Sequence, residues 1–118
     1  MTHERKKLSK ITDELTMFFF SIGGNDISFN IRLQNDDAVL TFESNYLPEH
    51  AYKLDGMERL LNSEHDYGVE DIYWELMGSG EPGESSQLLL VGMLVDKSEV
   101  TVKDDRVKIV MYKKNLHK

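Results

Sequence analysis

Residues 77–114 read MGSGEPGESSQLLLVGMLVDKSEVTVKDDRVKIVMYKK, and the order of patterns within them indicates the class of fold. A loop rich in glycine leads into the apolar run Leu88–Val95, which predicts a helix buried from more than one side. Ser85 or Ser86 is its expected N-cap. Alternating apolar residues then predict strands over 99–103 and 107–112, joined by a turn at Asp104 and Asp105. The stretch therefore predicts a glycine loop, a buried helix and a closing β-hairpin.

The N-terminal part of the chain predicts a long helix followed by another hairpin. Apolar residues recur at helical spacing at positions 8, 11, 15, 18, 19 and 22, before Gly23 and Gly24 end the helix. From Ile27 the period changes to two, with apolar residues at 27, 29, 31 and 33, which predicts a half-buried strand. A turn at Asn35, Asp36 and Asp37 leads to a paired strand that runs through Phe42.

The middle of the chain predicts two further helices. One carries Ala51, Leu54, Met57, Leu60 and Leu61, and a shorter one carries Val69, Ile72, Tyr73, Leu76 and Met77. The aromatic run 18–20 in the first helix could line a ligand pocket, but aromatic residues at helical spacing usually belong to the core, which is the preferred interpretation. Either interpretation predicts low solvent exposure.

Length and composition are those of one globular domain. The chain has 118 residues, of which 40% are hydrophobic and 30% charged, which is too apolar for a disordered chain. No repeat or linker divides it, so residues 1–118 are expected to form a single domain. The element order predicts an α+β two-layer sandwich: a mixed or antiparallel sheet of about four strands, with helices on one face.

Charge and cysteine content exclude several functions. The net charge of −7 repels the phosphates of nucleic acid, so we expect no nucleic-acid partner. Cysteine is absent, which excludes disulfides, thiolate metal sites and cysteine nucleophiles. The apolar runs are too short to span a bilayer, and the N-terminus has no signal-peptide pattern, so the sequence predicts a cytoplasmic protein without a membrane partner.

No local motif carries a strong catalytic or cofactor signal. Gly78, Gly80 and Gly83 satisfy G-x-G-x-x-G, but a predicted helix precedes them, whereas the dinucleotide motif needs a strand there. The four histidines show no i, i+4 pairing, so no metal site is proposed. Ser85 and Ser86 have no evident base partner, so capping is the preferred interpretation and no catalytic residue is named.

Residues along nearly the whole chain follow the pattern of a known family. The first helix of that family has a Glu, an Asn four residues later, and then a His-Gly. Glu14, position 18 and Gly23 have the same spacing. Residues 39–45 occupy the place before its Asp-Gly loop, and 85–113 that of its Gly-x-Gly, apolar helix and last two strands. The chain thus resembles the histidine-kinase-type (GHKL or Bergerat) ATPase domain, especially the small bacterial anti-sigma-factor kinases.

The chain departs from this family where the family binds its nucleotide. Phe18 stands in place of the Mg²⁺-binding Asn and offers no oxygen to a hard cation. In the family, the acid of the Asp-Gly loop contacts adenine. In this chain, only Glu43 or Asn45 could take the place of that acid. Ser85 and Gln87 stand where glycines admit phosphate to a helix N-terminus, and Gly83 is either a displaced remnant or a loop glycine. Together with Glu14, these positions are interpreted as vestigial, with no cofactor and no metal.

Three hypotheses follow from the sequence. The first is a non-catalytic regulatory or protein-interaction domain, derived from the ATPase fold but without ATP, whose partner is a signalling or transcription-regulatory protein or a second copy of itself. The alternative is a divergent serine kinase, with Glu14 as its base and the loop Gly78–Ser86 as its lid. A third hypothesis is an unrelated α+β sandwich whose similarity to the family is accidental.

Overall fold

The computed structural model describes residues 3–62 and 84–114. The chain folds in the order α1 (His3–Ser21), β1 (Ile27–Gln34), β2 (Asp37–Asn45), a 3₁₀ helix (Pro48–Leu54), α2 (Met57–Leu61), α3 (Glu84–Leu94), β3 (Lys97–Lys103) and β4 (Arg106–Lys113). The long first helix, both hairpins and the apolar helix of the C-terminal third were all predicted, and they are confirmed.

The strands form one four-stranded sheet in the order β1-β2-β4-β3. All three neighbouring pairs are antiparallel: β1 with β2, β2 with β4, and β4 with β3. The two hairpins therefore meet through their second strands, β2 and β4, and leave β1 and β3 at the edges. The α+β prediction is confirmed, and of the two sheet types it allowed, the antiparallel one is present.

Both hairpins turn on residues that tolerate the left-handed region. Asn35 has φ 56° and Asp104 has φ 58°, and each begins the short connection between its two strands. Asn and Asp adopt this conformation more readily than other residues with a side chain, and it suits the twist of a tight hairpin. The turn residues identified in the sequence therefore determine both hairpins.

The core lies between one face of the sheet and the helices. Alternate residues of β2 and β4 face the helices and are buried, as at Leu40, Phe42 and Ile109. The three described α-helices and the residues that directly follow two of them contribute to the same cluster, through Leu8, Ile11, Leu15, Phe18, Phe19, Ile22, Met57, Leu61, Leu88, Val91 and Val95. In the part of the chain that is described, α3 packs against both α1 and α2. The helix layer thus covers one face of the sheet.

The middle segment differs from its prediction. A single helix through residues 51–61 was expected, but a 3₁₀ helix ends at Leu54 and α2 begins at Met57. Gly56 between them has φ 77°, a left-handed conformation that interrupts a helix. The prediction of one continuous helix is therefore wrong. The predicted helix carrying Val69 to Met77 lies outside the described residues.

Two glycines end α1 and bring the chain back to the sheet. Gly23 has φ 90°, and the Gly24 amide donates to the Phe19 carbonyl at 2.7 Å. A side chain on Gly24 would lie 2.7 Å from Ser44 Oγ and 2.9 Å from the Phe19 carbonyl oxygen. Glycine is therefore needed for this sharp reversal, which places the end of α1 beside the start of β1.

Candidate functional site

The two positions of α1 singled out by the family resemblance lie in a packed helix face. Glu14 is buried and pairs with Lys10, whose Nζ lies 2.8 Å from Glu14 Oε1. Phe18, one turn further on, is buried in the core and makes an edge-to-face contact with the Phe19 ring, at a centroid distance of 5.2 Å. Phe18 therefore serves as a core residue, and Glu14 is held by an i, i+4 ion pair.

The positions on β2 face away from α1. Phe42 and Ser44 face the core, so Glu43 and Asn45, which alternate with them, lie on the opposite face of the sheet. The structure therefore does not bring Glu43 or Asn45 together with Glu14 and Phe18.

Asn45 has a structural role at the end of β2. Its Oδ1 accepts hydrogen bonds from the amides of Asn25 and Asp26, at 2.9 and 3.0 Å, and its Nδ2 donates to Asn25 Oδ1 at 2.7 Å. The Asp26 carboxylate in turn pairs with Arg106 at 3.0 Å. These bonds fix the loop between α1 and β1 against the second hairpin.

The remaining sequence-predicted positions belong to α3 or precede it. Gln87 is half-buried on α3, while Gly83 and the rest of the loop before Glu84 lie outside the described residues. The helix already includes Glu84, so neither Ser85 nor Ser86 is its N-cap, and that prediction is wrong. The apolar pattern from Leu88 identified the helix but underestimated its length.

The surface at the second hairpin carries several charges. A shallow groove of about 460 Å³ is lined by Glu43, Thr101, Lys103, Asp104, Asp105, Arg106, Val107 and Lys108. Three of these residues are acidic and three are basic. Across residues 3–62 and 84–114, no three His, Asp or Glu side chains are grouped so that they could hold a metal ion.

A groove lined by both polar and apolar residues lies between the C-terminal half of α1 and the edge strand β1. Thr16, Phe20, Asn25, Ile27 and Phe29 line it, and its volume is about 440 Å³. Asn25 lies at the end where Asn45 holds the loop. The floor of the groove is formed by the first half of β1, where Ile27 and Phe29 are half-buried.

Large apolar side chains continue from this groove onto the surface. Phe20 and Met17 on α1 are 58% and 51% exposed, and Ile31 and Leu33 on β1 are 42% and 46% exposed. A run of adjacent helix residues points in different directions, so Phe18 and Phe19 enter the core while Phe20 does not. The predicted low exposure is therefore wrong for Phe20. The prediction of a half-buried strand holds for Ile27 and Phe29 and fails for Ile31 and Leu33.

The edge strand on the other side of the sheet, β3, is covered by side chains of α2 and its C-cap. Asn62 accepts a hydrogen bond from the Ser98 amide at 2.8 Å and donates to the Ser98 carbonyl at 2.9 Å. Glu58 Oε2 accepts from the Val100 amide at 2.9 Å. These two side chains thereby pair with backbone groups of β3 much as a neighbouring strand would. The strand also carries charged residues at both ends and in between, at Lys97, Glu99 and Lys103.

The edge strand β1 has no comparable cover from the described part of the chain. Within residues 3–62 and 84–114, the backbone hydrogen bonds of β1 go to β2, and no side chain pairs with its outer edge. Arg32 is the single charged residue among its eight residues, and it contains no proline. Natural proteins usually protect an edge strand with charges, proline, a bulge or a covering element. This edge, which no described element protects, is the candidate functional site together with its exposed apolar side chains.

Sequence reasoning missed this site, although one signal for it was present. Residues 15–34 contain two charged residues, Asp26 and Arg32, whereas 30% of the whole chain is charged. A charge-poor stretch indicates either core or a binding surface. Only the strand order shows that the outer side of this stretch faces solvent.

Comparison of the chain with family models, with curated proteins and with solved structures finds no match. The likeness to the GHKL ATPases therefore rests on sequence pattern. Among the helices of residues 3–62 and 84–114, none combines the length and apolar character needed to cross a bilayer.

Proposed function

We propose that the chain is a non-catalytic protein-interaction domain whose binding surface is the open edge of β1, together with the groove beside it. An extended segment of the partner adds to the sheet as a further strand and covers Phe20, Ile31 and Leu33. A cytoplasmic location, and descent from a GHKL-type ATPase that has lost ATP and Mg²⁺, belong to the same proposal.

The contrast between the two edges of one sheet carries this proposal. Asn62 and Glu58 bind the Ser98 amide and carbonyl and the Val100 amide of β3, while no group of residues 3–62 and 84–114 pairs with the outer amides and carbonyls of β1, which lie beside exposed apolar side chains. Strand addition uses these two features, since main-chain hydrogen bonds supply affinity and alternate side chains supply specificity. A protein partner is also favoured over nucleic acid by the net charge of −7.

The surroundings of α1 support a function without nucleotide. Phe18 is packed into the core and presents no oxygen for Mg²⁺ coordination. Glu43 lies on the face of the sheet that the helices do not cover, so it cannot contact a ligand bound among them. Neither position is available for the role that the family's pattern would give it.

The interaction is tested by comparing two edge-strand variants of the full chain. Leu33 on β1 and Val102 on β3 are similarly exposed aliphatic residues, at 46% and 48%. Leu33→Lys adds a charge to the proposed binding edge and should abolish the capture of a partner by the immobilised chain, whereas Val102→Lys should retain it. Circular dichroism would verify that both variants are folded. Equal capture by the two variants would contradict the assignment of β1 as the binding edge.

The absence of nucleotide binding has its own test. At millimolar Mg²⁺-ATP, we expect no rise in the Tm of the wild-type chain, because a ligand stabilises a protein only if it binds the folded state. Thermal unfolding with Mg²⁺-ATP, and with Mg²⁺ alone as the control, measures this. A rise of several degrees that requires ATP would favour the serine kinase, with Glu14 as its candidate base, over the present proposal.

A further inference from the structure

We propose that the strand added to β1 is β1 of a second copy, so that two chains form a symmetric dimer with one continuous antiparallel sheet. This inference rests on the proposed function and identifies its partner. An antiparallel pairing about a two-fold axis is self-complementary, because the same edge contributes to both sides.

Charge favours this occupant. The chain carries a net charge of −7, so two copies repel each other over most of their surfaces. Residues 15–34 contain one acidic residue, Asp26, which pairs with Arg106, and one basic residue, Arg32. A second copy can therefore approach along this edge without like charges meeting, provided that the two Arg32 side chains are not opposite each other and that Asp26 is not opposite Asp36. The covered edge β3, with Lys97, Glu99 and Lys103, offers no such surface.

The sequence of β1 selects one register. Side chains alternate between the faces of the sheet, and directly opposite residues lie on the same face. Ile31 and Leu33 therefore stay on the helix side of both copies only if the apolar residues of one β1 lie opposite the apolar residues of the other. Pairing centred on Arg32 places the two arginines opposite each other, and pairing centred on Ile31 places Asp26 opposite Asp36. Both bring like charges together, which destabilises a cross-strand pair.

Pairing centred on Asn30 avoids both conflicts. It places Arg32 opposite Ser28 and Asp26 opposite Gln34, and it uses more of β1 than pairing centred on Phe29. On the helix side, Ile27 meets Leu33 of the second copy, and Phe29 meets its Ile31. The dimer therefore consists of two β1 strands that cross at Asn30.

This register also accounts for the exposed side chains around the groove. Phe20 lines the same groove as Ile27, and Ile27 is the residue opposite Leu33 of the second copy. Leu33 of each copy is thus placed at the groove of the other. The apolar side chains that are exposed in one chain, Phe20, Ile31 and Leu33, are brought together by a single contact.

The absence of cysteine allows a clean cross-linking test. Asn30 lies on the two-fold axis and on the face without helices. The Asn30→Cys variant should therefore form a disulfide between position 30 of one chain and position 30 of the second chain under mild oxidation. Opposite residues of antiparallel strands lie about 4.5–5.5 Å apart, within reach of a disulfide. Ser28→Cys and Gln34→Cys are matched controls on the same face. Each should fail to cross-link, because position 28 of one copy lies about 13 Å from position 28 of the other, and the two positions 34 are further apart still.

The oligomeric state of the full chain completes the test. Sedimentation should give the wild type, and the Val102→Lys variant, twice the 13.6 kDa mass of one chain, and Leu33→Lys a mass of 13.6 kDa. The dimer is overturned if the wild type is monomeric and the Asn30→Cys variant forms no disulfide between two chains. Another outcome is that the wild type and Val102→Lys capture a different protein, which Leu33→Lys does not capture. In that case the interaction function stands, and only the second copy as the partner is wrong. Equal capture by both lysine variants contradicts the proposed function itself.

Discussion

Replacing Phe19 by alanine should lower the free energy of unfolding by about 3–5 kcal/mol, the range measured for buried aromatic truncations. Phe19 is fully buried, and its ring lies 5.2 Å from that of Phe18 and 5.0 Å from that of Phe42. Its loss opens a cavity between α1 and the centre of the sheet. Denaturant unfolding of the wild type and the variant measures the difference.

The adjacent residue provides the control. Phe20→Ala removes the same atoms from the same helix, but Phe20 is 58% exposed, so we expect a change below about 1 kcal/mol. Both variants should be compared at a concentration where the chains are monomeric, because association adds to apparent stability. Equal losses at Phe19 and Phe20 would contradict the orientation of α1 on the sheet.

Replacing Gly92 by alanine should destabilise the protein by about 1–3 kcal/mol, the usual cost of overpacking a close contact. In an exposed helix the same change stabilises by about 1 kcal/mol, since alanine has the higher helix propensity. A Cβ atom at position 92 would lie 2.6 Å from the Leu60 carbonyl oxygen and 3.0 Å from that of Leu61. Because these are backbone atoms, α2 and α3 would have to separate.

The sign of this change is the informative result. Ser9→Ala, at an exposed position within α1, is a suitable control, and it should change stability by no more than about 0.5 kcal/mol. Thermal unfolding of both variants is sufficient. A Gly92→Ala protein that is more stable than the wild type would show that α2 and α3 are not in close contact at this glycine.

Much of the fold could be predicted because local chemistry determines it. Asn35 and Asp104 start turns that need a left-handed residue, and Gly23 and Gly24 end α1 where the chain reverses. The alternation of apolar residues in the strands identified the buried faces of β2 and β4. In contrast, Gly56 lies in an otherwise helical pattern, and a single glycine does not reveal from sequence alone that it interrupts the helix.

The candidate site could not be predicted because it depends on strand order. Ile31 and Leu33 have the same alternation as Leu40 and Phe42, yet the first pair is exposed and the second is buried. The difference arises because β1 is at an edge and β2 is inside the sheet. In the same way, β3 is covered through contacts that are distant in sequence: Asn62 and Ser98 are separated by 36 positions, and Glu58 and Val100 by 42. No local pattern indicates such contacts.

Amide hydrogen exchange along β1 at two protein concentrations tests the central claim most directly. If β1 of a second copy covers the open edge, amides of residues 28–33 that point away from β2 are protected at high concentration and exchange faster on dilution. The amides of Ser98 and Val100, held by Asn62 and Glu58, should not change. Exchange along β1 that is fast and independent of concentration would contradict the account.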